Sequence, residues 1–132
     1  MGTAENKALV ENAWACISAG DGEGFLSKVS DDATWTFFGS HRFAGTLNGK
    51  AEIIAKLFEP LGEVLEDGIK VTINTMTAEG DRVIIESKGQ ARTKAGVDYN
   101  NDYCIVVTIK DGLIVAAREY LDTELVTTAF GK

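Results

Sequence analysis

Apolar residues recur at helical spacing in the first third of the chain and at strand spacing in the last half. Leu9, Val10, Ala13, Trp14 and Ile17 fall on one stripe, predicting a helix over Thr3 to Ala19. Thr3 can cap its start, and Gly20 sits just past its end. Asp21 can cap a shorter second helix that buries Phe25, Leu26 and Val29. Thr34 to Phe38, rich in aromatic and β-branched residues, reads as a strand, and Gly39 to Gly49 as a loop. Asn48 can cap a third helix with the stripe Ile53, Ile54, Leu57, Phe58 and Leu61, which Pro60 kinks or ends. After Gly68 the period becomes two. Ile69, Val71 and Ile73 alternate with polar residues, Gly80-Asp81 makes a turn, and strands follow over Val83 to Arg92, Tyr99 to Lys110 and Leu113 to Leu121. A terminal helix starts at Asp122. Helices first and antiparallel strands last is the α+β pattern: a curved antiparallel sheet with helices on one face.

The last two strands meet at Lys110-Asp111-Gly112, and two turns fit. A two-residue Asp-Gly loop pairs Lys110 with Leu113. A three-residue loop with Gly112 as a bulge pairs Ile109 with Leu113, Val107 with Val115, Ile105 with Ala117, Tyr103 with Glu119 and Asn101 with Leu121. The three-residue loop is preferred because it collects one clean face, whereas a slip of one residue scrambles it. The expected result is a slot with an apolar floor and Tyr103, Glu119 and Asn101 at its upper end, the usual make-up of a small-molecule site. The competing structural reading is that Tyr103 and Glu119 hydrogen-bond each other at the sheet end.

Composition narrows the function. The 132 residues fit one domain, with 45% hydrophobic and 25% charged residues. A formal charge of −7 argues against nucleic acid and anionic membranes. Cys16 and Cys104 make neither a disulfide framework nor a zinc site, and fit free thiols in a reducing, cytoplasmic compartment. No signal peptide, bilayer-length apolar run, phosphate loop, nucleophile elbow or metal-ligand spacing is visible, so no cofactor or metal is expected.

Three C-terminal features, Tyr99-Asn100-Asn101-Asp102-Tyr103, the Asp111-Gly112 turn and Arg118-Glu119-Tyr120-Leu121-Asp122, resemble the C-terminal half of SnoaL-like proteins of the nuclear transport factor two-like superfamily. Asp31-Asp32-Ala33-Thr34-Trp35 and the loop ending Asn48-Gly49-Lys50 are similar to the N-terminal half. The resemblance spans nearly the whole chain as a single domain, residues 1–132. It implies a cone-shaped α+β barrel with one pocket, often a homodimer through the outer sheet face, where Arg118, Cys104, Val106 and Ala116 would lie. The superfamily includes ketosteroid isomerases, polyketide cyclases, limonene epoxide hydrolases and non-catalytic members, so the fold alone does not give the function. By this resemblance the isomerase's aspartate position is Phe37, which removes the classical base. The hydrolase's Arg-x-Asp pair falls on Glu86 and Lys88, its last-strand aspartate on Glu119, and its water-holding tyrosine and asparagine on Trp35 and Phe37. The strand pair is therefore reversed and the water clamp lost.

Glu86 and Lys88, two apart, share a strand face, and the resemblance turns that face to the pocket. Lys88 could bridge Glu86 and Glu119, either as a structural ion-pair network or as a site holding a carboxylate base. In the catalytic version Glu119 removes a proton α to a carbonyl, and Tyr103 or Lys88 stabilises the enolate oxygen. Trp14, Trp35, Phe37, Phe58, Ile105 and Leu121 are expected to line the pocket or fill the core. His41, the sole histidine, is expected near the mouth or on the surface of its loop. The leading reading is a cofactor-independent enzyme acting on a small apolar, oxygenated ligand as an isomerase, cyclase or hydrolase. The alternatives are a non-catalytic binding domain and a protein-interaction module.

Overall fold

The computed structural model describes residues 2–132. Helix α1 (Thr3–Ser18) buries Val10, Ala13 and Trp14 and packs on β3 and β4. Its N-cap is Gly2, not Thr3, and Glu5 reaches back to the Gly2 amide. Ser18 Oγ accepts from the Val71 amide at 2.8 Å, which ties the end of α1 to β3. Helix α2 (Gly22–Leu26) is capped by Asp21, whose side chain accepts from the Gly24 amide. Val29, expected on this helix, instead opens strand β1 (Val29–Phe37). The expected loop 39–49 contains a short edge strand, β2 (Gly45–Asn48), paired antiparallel with β1.

The third helical stretch begins after Gly49 rather than Asn48. It runs as α3 (Lys50–Ile53), a π-helical turn (Ile54–Phe58) and α4 (Glu59–Val64). Pro60 has no amide proton to give to an α-helical bond, and the wider turn comes immediately before it. Strands β3 (Lys70–Glu79), β4 (Arg82–Gln90), β5 (Asp102–Lys110) and β6 (Leu113–Leu121) follow, then helix α5 (Thr123–Phe130). Asp122 Oδ1 caps α5 by accepting from the amides of Glu124 and Leu125. The expected third and fourth strands are shorter at one end each, because residues 91–101 form a turn held by isolated bridges and by Asn101.

The sheet order is β2-β1-β6-β5-β4-β3, and β1 joins β6 in parallel while the other neighbours run antiparallel. The sheet curves around the N-terminal helices without closing, leaving β2 and β3 as edges. Inward residues on β4, β5 and β6 are Val83, Ile85 and Ser87; Ile105, Val107 and Ile109; Ile114, Ala117 and Glu119.

The β5–β6 hairpin departs from the expected three-residue loop. Asp111 (φ 52°) and Gly112 (φ 75°) both take left-handed backbone, as a two-residue primed turn requires, and Lys110 pairs with Leu113. Pairing then shifts between Thr108 and Ile109, leaving Val115 as a bulge. Beyond the bulge Val107 faces Ala117, Ile105 faces Glu119 and Tyr103 faces Leu121. The bulge thus restores Ala117, Glu119 and Leu121 to the inner face. Tyr103 is not opposite Glu119, and Val115 and Leu113 leave the inward set.

Candidate active site

The concave face of the sheet and the helices enclose a cavity of about 310 Å³. Its apolar wall includes Trp14, Phe25, Trp35, Phe37, Phe58 and Ile105, and Leu121 also lines it. Trp35 and Phe37, two apart on β1, stack at 6.1 Å. Trp14 meets Phe25 edge-on at 5.3 Å, and Phe25 lies 5.6 Å from Phe58. Edge-to-face and offset contacts of this kind fix ring orientations as well as burying area.

Glu119 is the buried carboxylate on this wall, 6% exposed. Trp35 pairs in parallel with Ala117, whose small side chain leaves room for the indole to reach diagonally toward the next inward residue of β6. Trp35 Nε1 donates to Glu119 Oε1 at 3.1 Å. Burial pushes the Glu119 carboxyl up to about 8, against the weaker opposing pull of the Trp35 hydrogen bond. Desolvation disfavours the charged form, and among the described residues no Lys or Arg lines the cavity to repay it.

Tyr103 and Tyr99 lie beside it on the wall. Burial raises the Tyr103 hydroxyl well above the ordinary tyrosine range, and the nearby Tyr99 and Glu119 push in the same direction. Burial also raises Tyr99, which hydrogen bonds to Asn101 and Tyr103 partly offset. Both phenols are therefore neutral donors at physiological pH. Asn101, expected on the pocket wall, is not there. Its Nδ2 donates to Tyr99 Oη and to the Asp122 carbonyl, both at 3.1 Å, while its Oδ1 accepts from the amides of Asp102 and Asp122. These four bonds satisfy the buried amide and make it a brace between β5 and α5 that holds Tyr99.

Glu86 and Lys88 are corrected more fully. On β4 the odd-numbered residues point inward, so both lie on the outer face. Glu86 accepts from Thr75 Oγ1 at 2.8 Å, and Lys88 pairs with Asp102 at 3.2 Å. Neither reaches Glu119, and the expected three-residue network does not form. Arg118, Cys104, Val106 and Ala116 are on the outer face, as expected. There Arg118 sits over the Phe38 ring at 5.0 Å, and Phe38 stacks on exposed Tyr120 at 4.5 Å.

Three wall residues with polar side chains, His41, Tyr99 and Ser87, were not singled out from the sequence as site residues. His41 lies on the cavity wall, edge-on to Phe37 at 6.0 Å. Its Nδ1 accepts from the Phe43 amide at 3.1 Å, which places the ring proton on Nε2, and burial lowers its pKa against a smaller opposing effect of the Phe38 backbone. Tyr99 enters through its Asn101 brace. Ser87 enters because it shares the inward period of Val83 and Ile85, a signal present in the sequence but set aside where the resemblance turned Glu86 and Lys88 to the pocket.

Residues 10–117 match the family model of the SnoaL-like domain. The chain belongs to the SnoaL-like domain family. Among solved structures, a nuclear transport factor two-like protein from Burkholderia xenovorans LB400 is 26% identical, with 98% of each chain covered and a TM-score of 0.77. A protein described as a candidate isomerase from Bacillus subtilis is 22% identical, with 100% of this chain and 98% of that one covered and a TM-score of 0.84. A candidate SnoaL-like polyketide cyclase from Jannaschia sp. CCS1 is 17% identical, with 98% and 93% covered and a TM-score of 0.80. The last two likenesses speak to fold alone. No functionally curated protein matches the chain in sequence. Among the described residues, no helix of this SnoaL-like chain is long and apolar enough to cross a membrane.

Proposed function

We propose that this SnoaL-like domain is a small-molecule enzyme in which Glu119 moves a proton at a carbon α to a carbonyl. The observation that carries the reading is the Glu119 carboxyl buried on the wall of an aromatic cavity, where desolvation pushes it up to about 8. A base poised near the working pH combines a usable ionised fraction with enough basicity to take a carbon-bound proton. At pH 7 roughly a tenth of Glu119 is ionised, given about one pH unit below its midpoint. The ionised carboxylate takes the α proton, and the electron pair moves onto the carbonyl oxygen as an enolate. Delivery of a solvent-derived proton to that carbon, after the Glu119 carboxyl has traded its proton with water, gives exchange, and delivery to a conjugated carbon gives isomerisation. Tyr103 is the neutral donor for the enolate oxygen. Its hydroxyl, kept neutral by burial, has one proton to donate. Lys88, on the outer face, has no part. Relatives described as a candidate isomerase and a candidate cyclase are in keeping with carbonyl chemistry.

The test is proton exchange on 2-tetralone in D2O, followed by proton NMR. Wild type is expected to accelerate α-proton loss above the buffer rate, and Glu119→Gln to lose at least 100-fold of that acceleration, the scale of a general base. The rate should rise with pH and level off above about 8. Equal exchange by wild type and variant removes Glu119 from the mechanism.

A further inference from the structure

Among the described residues, the exposed ones on the cavity lining are all glycine: Gly20, Gly22, Gly62 and Gly68. Every other lining residue is buried or half-buried. A residue that borders both the cavity and bulk solvent marks where the two meet. The opening therefore lies between two stretches of chain, the α1–α2 junction at 20–22 and the passage from α4 into β3 at 62–68. Half-buried Ile17 stands beside the first stretch, and half-buried Leu61 and Ile69 beside the second, so hydrocarbon adjoins the glycines on both sides. The lining from the 39–44 loop and α5, namely His41, Phe43 and Val126, contributes no exposed residue.

Two of the four glycines have a backbone reason. Gly20 (φ 74°) follows the C-cap of α1, and Gly68 (φ 65°) turns the chain toward β3, both in the left-handed region that favours glycine. Gly22 and Gly62 have no such reason. Neither has a positive φ, and a Cβ built on either meets no atom within 4 Å. Gly62 stands inside α4, where glycine is a poor helix former, and no residue of α4 is fully buried, so close packing does not call for it either. What the missing side chains leave at 22 and 62 is open space at the rim of the cavity.

We infer that this opening is the entrance to the cavity and that Gly22 and Gly62 are its specificity-determining residues: the side chains they lack set the width of what passes. Selection at the rim acts by bulk and precedes any contact with Glu119. It acts on the rates of entry and exit, because a side chain at the rim meets the passing ligand and not the bound one. The inference adds access to the pocket reading above and rests on that reading only for the chemistry of the ligand. The entrance itself stands whether or not Glu119 is a base.

The chain's two tryptophans, Trp14 and Trp35, are 3% and 5% exposed and both line the cavity, so their fluorescence reports what enters it. The test is the bimolecular rate constant for their quenching by acrylamide and by the bulkier succinimide, both uncharged, from fluorescence lifetimes. The proteins are wild type, Gly22→Leu, Gly62→Leu and Ala15→Leu. Ala15, exposed on α1 and absent from the lining, controls for the added leucine. Both quenchers should reach wild type. Each glycine variant should lower the constant at least about twofold, and further for succinimide, because fewer encounters find the opening. Ala15→Leu should match wild type. Gly62→Leu should melt no lower than wild type, since leucine is the better helix former, which separates a narrowed entrance from a damaged fold. A constant equal to wild type in one glycine variant removes that residue from the entrance; equality in both, or an equal fall in Ala15→Leu, overturns the entrance. Equal losses for the two quenchers overturn selection by size. Wild-type tryptophans that neither quencher reaches would show a closed chamber and overturn the inference whole. Proton exchange by wild type and Glu119→Gln is read separately, so failure of the catalytic reading and failure of the entrance are told apart.

Discussion

At the scale of single residues, the proposed chemistry rests on Glu119, and burying that carboxyl carries a cost. Its folded-state pKa is raised from 4.5 to about 8, so the folded protein binds a proton more tightly than the unfolded chain does. Its contribution to stability is complete below about pH 4.5, falls as pH rises through about 8, and is constant above that. Wild type should therefore lose melting temperature between pH 5 and 8 relative to Glu119→Gln, which has nothing to ionise there. A free-energy difference on the order of a few kcal/mol follows from a shift of this size. Parallel melting curves for the two proteins across that range would contradict the burial of an ionisable carboxyl. Trp35→Phe keeps the ring and removes the donor to Oε1. Because that bond favours the charged form, its loss should raise the Glu119 midpoint further and move the pH dependence of proton exchange to higher pH. An unmoved exchange profile would mean the indole does not tune the acid.

At the scale of elements, the inner face depends on devices that sequence periodicity conveys unevenly. The stripe of α1, the caps at Asp21 and Asp122, and the strand Leu113–Leu121 are legible because each rests on local spacing or a single side chain. The hairpin is not. Its turn and the Val115 bulge each move the pairing by one, and the preferred three-residue loop reached much of the right inner face from the wrong turn. Glu86 and Lys88 were misplaced for a related reason. Matching the hydrolase's strand pair onto 86 and 88 fixes parity only if the turn at 91–101 has the same length in both, whereas Val83 and Ile85 already marked odd residues as inward. Strand β2 escaped detection because a four-residue edge strand with little burial has almost no apolar period. Two substitutions probe this scale. Asp122→Ala removes both capping bonds of α5 and should cost about 1 kcal/mol, read as a lower melting temperature. Gly89→Ala brings a methyl against the Tyr103 ring and should destabilise by about 1–3 kcal/mol, shifting the Tyr103 ring resonances in NMR spectra. Unchanged Tyr103 resonances in Gly89→Ala would contradict the close approach.

At the scale of the whole molecule, an open curved sheet and a helical cover make an apolar chamber in which a lone carboxyl is costly to ionise. The two halves of the chain divide this work. The helices and β1 supply the aromatic rings; β4 to β6 supply Ser87, Tyr103 and Glu119; α5 packs against Tyr99 through Phe130, with ring centroids 4.9 Å apart. The acid's environment is thus built from most of the fold, which is why no short motif in the sequence announces it. Carbon-13 NMR titration of protein labelled at glutamate Cδ, with Glu119→Gln assigning the resonance, tests the account most directly. A Glu119 midpoint of about 8 is the predicted result. A midpoint near 4.5, with the other glutamates, would show a solvated carboxylate and contradict the buried acid on which the proposed chemistry stands.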